Sequence, residues 1–259
     1  KNNIYLGIVS RVEPSLQAAF INYGRERHGF LAFNDIQSDY YQIPREDKDQ
    51  LKKAEEQIRE DLKEKTESDE IHDKSSNKNL NKPKNNGNDT AEIKEPIGSH
   101  SEKIRESLKN TYGIKKYRIQ EVVKPGQVIL VQVIKEERGQ KGAALTTFIS
   151  LAGKYIVLMP NTPKGGGISR KIFNSSDRQK IRVILNEIDI PKSMGVIVRT
   201  AGANKTRNEI EKDFQNTLGT WEQIKDRALD SNAPSLVYEE GDIIKRTLRD
   251  TYDNDTKNI

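Results

Sequence analysis

The residues able to do chemistry are unevenly supplied. Cysteine is absent, so disulfides, thiolate catalysis and Cys-based zinc or iron–sulfur sites are excluded within these residues. Histidine occurs only as His28, His72 and His100. A Ser–His–Asp arrangement would have to use His28, and no nucleophile-elbow motif accompanies it. Lys205-Thr206 follows Asn204 where a phosphate-binding loop needs Gly. Acidic residues are plentiful, yet no pair is marked as metal-binding by its spacing, so neither a catalytic nor a metal set emerges from this chain. What remains is a nucleic-acid pattern. Phe20, Tyr23 and Phe30 fall on short neighbouring strands, with Arg11, Arg25, Arg27 and Lys141 as basic companions. Aromatics stack on exposed bases while basic groups follow the phosphate backbone. Alternation alone favours Phe20 and Phe30 as core residues.

Charge supports an anionic partner. The 259 residues hold 44 Lys+Arg against 39 Asp+Glu, a formal net charge of +5, with an isoelectric point near 9.1. Residues 45–110 carry 15 Lys/Arg, 17 Asp/Glu and no aromatic, so the basic excess lies outside them. That segment has too little apolar surface to offset its ordering entropy and is expected to be a disordered, charged insertion spanning 44–116. Its first third, Glu46 to Thr66, has a thin helical stripe of Leu51, Ala54, Ile58 and Leu62. No apolar run reaches the roughly 18 residues a membrane span needs.

The elements that must position these groups are mostly strands at first. Ile4 to Val12 is β-rich, with a bend expected at Gly7; Ala18 to Tyr23 and His28 to Leu31 follow. Beyond the insertion, Pro125-Gly126 turns into the apolar strand Val128 to Ile134. The glycine-containing turn Arg138 to Gly142 then leads into a fifth strand, Ala143 to Leu151. Five short strands with a long excursion after the third predict an OB-type barrel. A mixed section comes next: a strand at Tyr155 to Met159, a loop at Asn161 to Gly167, and a helix capped by Ser176 with Ile181, Ile184, Leu185 and Ile188 on one face. A strand at Val196 to Val198 precedes a second helix opened by the Thr206/Glu209 capping box. Its apolar face runs Ile210, Phe214, Leu218, Trp221, Ile224, Ala228. The tail after Pro234 predicts a short strand and a helix near Ile243 to Leu248.

Long collinear stretches are more specific. Ile4 to Gly24, Glu26 to Leu31, Lys135 to Gly153, Tyr155 to Asn161, Gly166 to Arg170 and Val198 to Gly202 resemble, in order, the bacterial ribonuclease E/G family in its ribonuclease E branch. The resemblance implies a mixed α/β (α+β) chain. A five-stranded S1-type OB RNA-binding barrel would occupy 1–43 plus 117–152, and a 5′-sensor subdomain 153–232. The start of an incomplete RNase H-like subdomain would occupy 233–259. It implies a single-strand-specific endoribonuclease, cutting A/U-rich RNA in mRNA decay and rRNA/tRNA processing. Its magnesium-binding carboxylates and zinc-link cysteines would lie beyond Ile259, and the rest of the RNase H-like part before Lys1. The runner-up is a non-catalytic S1-domain RNA-binding protein.

By the same resemblance, Phe20 and Phe30 match the aromatics that hold a base, and Lys141 matches a basic RNA contact. Arg199 and Thr200 match the pair that bonds a 5′-monophosphate, and Gly153 and Val157 line that pocket. Lys171 stands where the family usually has a second Arg. The implied partners are single-stranded RNA with a 5′-monophosphate and, for the full-length enzyme, a homotetramer and degradosome proteins. The implied location is the cytoplasm, with peripheral inner-membrane association through other segments.

Overall fold

The computed structural model describes residues 1–51, 53, 117–139, 141–162, 167–191, 193–241 and 243–252. Contacts divide the chain into Lys1–Ile43 with Tyr117–Ile259, and Pro44–Lys116. In the latter unit, residues 45–51 are helical. The rest of the expected stripe (Ala54, Ile58, Leu62) and the expected disorder lie outside the described residues.

In the larger unit, β1 (Ile4–Glu13), β2 (Ala18–Asn22), β3 (Gly29–Ala32), β4 (Val128–Lys135) and β5 (Ala144–Thr146) form a closed barrel. Its order is β1-β2-β3-β5-β4, and β4 pairs back onto β1. Only β3 and β5 run parallel; the other barrel pairs are antiparallel. This is the OB architecture. Within the barrel β1 serves two neighbours: Ile4–Ile8 pair with β4, and Ile8–Glu13 with β2. The register shift that lets it turn lies between Val9 and Arg11, not at Gly7. Gly7 is needed for a different reason: a Cβ there would sit 2.6 Å from the Ile21 side chain.

Side chains alternate across the barrel wall. Ala19, Ile21, Leu31, Val131, Val133 and Leu145 point inward, joined by Ile119 and Val122 of the one-turn helix α1 (Ile119–Val122), which plugs the barrel. Sequence periodicity gave no sign of α1, because four residues are too few to show a helical period. The fifth strand is shorter than expected and ends at Thr146. Thr147 is fully buried and donates its hydroxyl to the Asp35 carbonyl at 2.9 Å. Asn161 accepts from the Ile149 amide at 2.9 Å. These side-chain partners replace the ladder and turn the chain out of the barrel.

The chain then enters a second sheet of β6 (Leu151–Ala152), β7 (Ile156–Met159), β8 (Gly167–Ile168) and β9 (Gly195–Val198), in the order β6-β7-β9-β8. Helices α2 (Ser175–Glu187) and α3 (Arg207–Asp230) share a core with it: Ile156, Leu158, Val196, Val198, Ile181, Ile210, Phe214, Trp221 and Ile224. Thr206 and Glu209 form the expected capping box. α2 is capped by Asn174, not Ser176; the Asn174 side chain accepts from the Ser176 amide at 3.0 Å. The tail returns as β10 (Ser235–Tyr238), pairing antiparallel with Ile4–Leu6 of β1, and ends in α4 (Ile243–Thr251). Among the described residues no helix is long and apolar enough to cross a membrane.

Candidate nucleic-acid interface

The barrel carries one line of polar and aromatic groups on its outer wall. Arg11 of β1 pairs with Phe20 of β2, and Phe20 with Phe30 of β3. The two rings meet edge to face with centroids 6.0 Å apart, and the Arg11 guanidinium lies 4.3 Å from the Phe20 centroid. Both rings are half-buried and neither belongs to a core cluster. Ala19 and Ile21 take the inward positions, so the pleat forces Phe20 outward. The core alternative for Phe20 and Phe30 is thereby removed.

Tyr23 does not join this face. It is buried edge-on against Tyr5 at 5.1 Å, and its hydroxyl donates to Glu137 at 2.8 Å. Burial, and then the Glu137 carboxylate, push its phenol well above the usual range. Its distance of three from Phe20 is odd, which in a strand means opposite faces. The basic groups divide likewise. Arg25 donates to the Tyr5 hydroxyl at 3.1 Å, and Arg27 to the Gly139 carbonyl. Arg11 and Lys141 are exposed, and Lys141 exchanges reciprocal backbone bonds with Arg138 at 3.1 Å.

A second constellation surrounds the β6–β7 turn, residues 153–155. Asp213 of α3 accepts from three successive amides: Lys154 at 3.1 Å, Tyr155 at 2.8 Å and Ile156 at 3.1 Å. A Cβ on Gly153 would stand 2.6 Å from the Asp213 carboxylate and 2.8 Å from the Thr217 hydroxyl, so only glycine allows this approach. The carbonyls of the same turn face the other way. Arg199 Nη1 donates to Gly153 at 2.6 Å and Lys154 at 3.2 Å, and Arg249 Nη1 donates to Ala152 at 3.2 Å.

Arg199 follows β9 and leads into the 3₁₀ turn Thr200–Gly202; its amide donates to the Tyr155 carbonyl at 2.8 Å. Thr200 is exposed at the start of that turn. Gly153 and Arg199 are thus brought together, with Thr200 next to Arg199 in the chain. Val157 sits further along β7, paired with Ala152 and Ile197. Lys171 is exposed, its amide bonded to the Ser169 hydroxyl at 3.4 Å. The Tyr155 ring is flanked by Lys154 and Lys205, whose ammonium groups lie 5.3 and 5.2 Å from its centroid.

Two carboxylates that sequence reasoning missed complete the set. Asp213 organises the turn, and Asp250 of α4 accepts from Arg199 Nη1 at 2.8 Å and Arg249 Nε at 3.2 Å. Partial desolvation alone would raise the Asp250 carboxyl; the hydrogen bonds and charges of Arg199 and Arg249 outweigh it and hold the group below its ordinary range. No local motif marks either residue. Asp213 reads as one more charged position of an amphipathic helix, and Asp250 meets Arg199 across 51 residues. Among the described residues no three His, Asp or Glu side chains converge as metal ligands.

The fold is thus an OB barrel joined to a small α/β layer, with aromatics on the barrel's outer wall and an arginine-centred turn. The model of the ribonuclease E/G family matches residues 150–259. Ribonuclease E of Haemophilus influenzae is 36% identical over 250 residues, covering 96% of this chain and 20% of that protein. Ribonuclease E of Escherichia coli K12 is 36% identical over 250 residues, covering 96% and 17%. A putative ribonuclease E of Buchnera aphidicola subsp. Baizongia pistaciae is 33% identical over 259 residues, covering all of this chain and 47% of that protein. The chain belongs to the ribonuclease E/G family. It spans about a fifth of the length of the first two relatives.

Proposed function

We propose that this chain is the RNA-binding and 5′-monophosphate-sensing part of a ribonuclease E-type endoribonuclease, acting on single-stranded RNA in RNA decay and processing in the cytoplasm. The observation that carries the reading is Arg199. Its Nη1 is tied to the Gly153 and Lys154 carbonyls and to Asp250, and the exposed Thr200 follows it directly in the chain. A guanidinium grips phosphate oxygens as a planar fork, and a hydroxyl adds one more donor. The Arg11–Phe20–Phe30 line on the barrel suits a base stacked on aromatics with its phosphate near a cation.

In this reading magnesium serves the hydrolytic step of the whole enzyme, with zinc as a structural ion. In the same reading the chain's own part is to bind and orient RNA. The test compares one oligonucleotide bearing a 5′-monophosphate or a 5′-hydroxyl, on the native chain and on Arg199→Lys, at one moderate salt concentration because phosphate contacts are screened. The native chain should prefer the monophosphate, and Arg199→Lys should lose that preference while retaining most affinity for the 5′-hydroxyl RNA. Equal affinity for both ends in the native chain would sink the reading.

A further inference from the structure

A guanidinium has five N–H donors in a rigid fork, and in Arg199 they are unequally used. Nη1 has two hydrogens and three acceptors around it: the Gly153 carbonyl, the Lys154 carbonyl and an Asp250 carboxylate oxygen. Among the described residues Nε and Nη2 have no acceptor. The side chain keeps 29% of its surface exposed, and two of its three nitrogens are uncommitted. Asp250 is itself held in place. Arg249 reaches its two oxygens from Nε at 3.2 Å and Nη2 at 3.5 Å. Arg249 is in turn fixed by the Ala152 carbonyl and by Glu240, a carboxylate only 3% exposed, at 2.6 Å.

We propose that Asp250 is a positioning residue for Arg199: it pins Nη1 inward and leaves the Nε–Nη2 edge to grip a terminal phosphate. The proposal rests on the 5′-phosphate reading above. Two considerations favour positioning over the alternatives. The Arg199–Asp250 pair is exposed enough that its worth to stability is small, so holding the fork is its main physical consequence. Asp250 also contacts the nitrogen already committed to carbonyls. A phosphate arriving on the open edge therefore has no need to displace it, and the carboxylate is not a competitor for the same donors. What Asp250 supplies is preorganisation: a long, rotamer-rich side chain is ordered before the ligand arrives, so binding does not bear that entropy.

The experiment measures affinity for the same oligonucleotide with a 5′-monophosphate or a 5′-hydroxyl, together with thermal melting. It uses the native chain, Arg199→Lys, Asp250→Ala and Asp250→Asn. Asp250→Ala should lower the monophosphate preference by about three- to tenfold, with affinity for the 5′-hydroxyl RNA within about twofold and melting unchanged. Asp250→Asn retains an acceptor oxygen and should keep more of the preference than the alanine variant, though less than native. A merely structural role would move melting and both affinities together. An unchanged preference in Asp250→Ala overturns the proposal, and so does an increased one, which would make the carboxylate a competitor of the phosphate. Should the alanine chain fail to fold, Asp250→Asn decides, and a preference equal to or above native in it overturns the proposal. A native chain with no preference removes the site and the proposal together. A native preference abolished by Arg199→Lys and untouched by Asp250→Ala refutes the positioning alone.

Discussion

Phe20 and Phe30 lie where two demands meet: the rings contact each other edge to face, and each side chain is only half-buried. Stacking on a base is worth about 1–3 kcal/mol per aromatic, whereas removing a fully buried Phe costs about 3–5 kcal/mol of stability. Phe30→Ala should therefore weaken binding of single-stranded RNA within the first range and lower stability by less than the second. Affinity titrations and denaturant melts on one preparation check both. Large melting losses with intact affinity per folded molecule would contradict the interface assignment. The sequence made these two rings visible, but alternation alone favoured the core for them; the inward neighbours Ala19 and Ile21 place them on the outer wall. Tyr23 was misplaced because its type was read without its parity. Asp213 and Asp250 were illegible for another reason. A carboxylate that serves a distant backbone or a distant arginine looks the same in sequence as one facing water.

Elements with many periods were legible, and short or side-chain-directed ones were not. The 24-residue α3 announced itself by its capping box and by Ile210, Phe214, Trp221 and Ile224 on one face. α1, with four residues, did not. The overlong fifth strand reflects a run of β-favouring residues, Leu145 to Ile149, that side-chain bonds from Thr147 and Asn161 bend out of the ladder. The junction between α3 and the β6–β7 turn gives a sharper test. Asp213 satisfies three amides at once. Asp213→Ala leaves them without that acceptor, at a cost of about 1–3 kcal/mol for an unsatisfied buried group. The expected result is a lowered urea midpoint and a weakened preference for 5′-monophosphorylated RNA, since the carbonyls of this turn anchor Arg199. Stability and preference both equal to native would contradict the role given to Asp213.

At the scale of the molecule, five short strands with a long excursion after the third were enough to anticipate the barrel. The parallel β3–β5 pairing and the return of β10 to β1 were beyond reach, because pairing partners far apart leave no periodic trace. Buried phenols give the folded unit a pH dependence. Tyr23, Tyr40 and Tyr238 are all pushed above their ordinary range, in each case chiefly by burial. A raised folded value means that the native chain keeps protons which the unfolded chain releases. The contribution is therefore full below about pH 10 and is lost as pH rises through the folded values. Urea melts at pH 9 and pH 11 should show a fall in stability, and Tyr23→Phe should show a smaller one; equal stability at both pH values in the native chain would contradict this.

The central claim is that Arg199 and its turn hold the terminal phosphate of an RNA. Phosphorus-31 NMR of a 5′-monophosphorylated oligonucleotide reads that group directly. A phosphomonoester loses its second proton near pH 6, and an arginine fork favours the dianion. Bound to the native chain, the terminal phosphate should shift its resonance and titrate at lower pH than in free RNA, and Arg199→Lys should reduce both effects. A terminal phosphate that titrates as in free RNA while the oligonucleotide is saturated with the native chain would contradict the account.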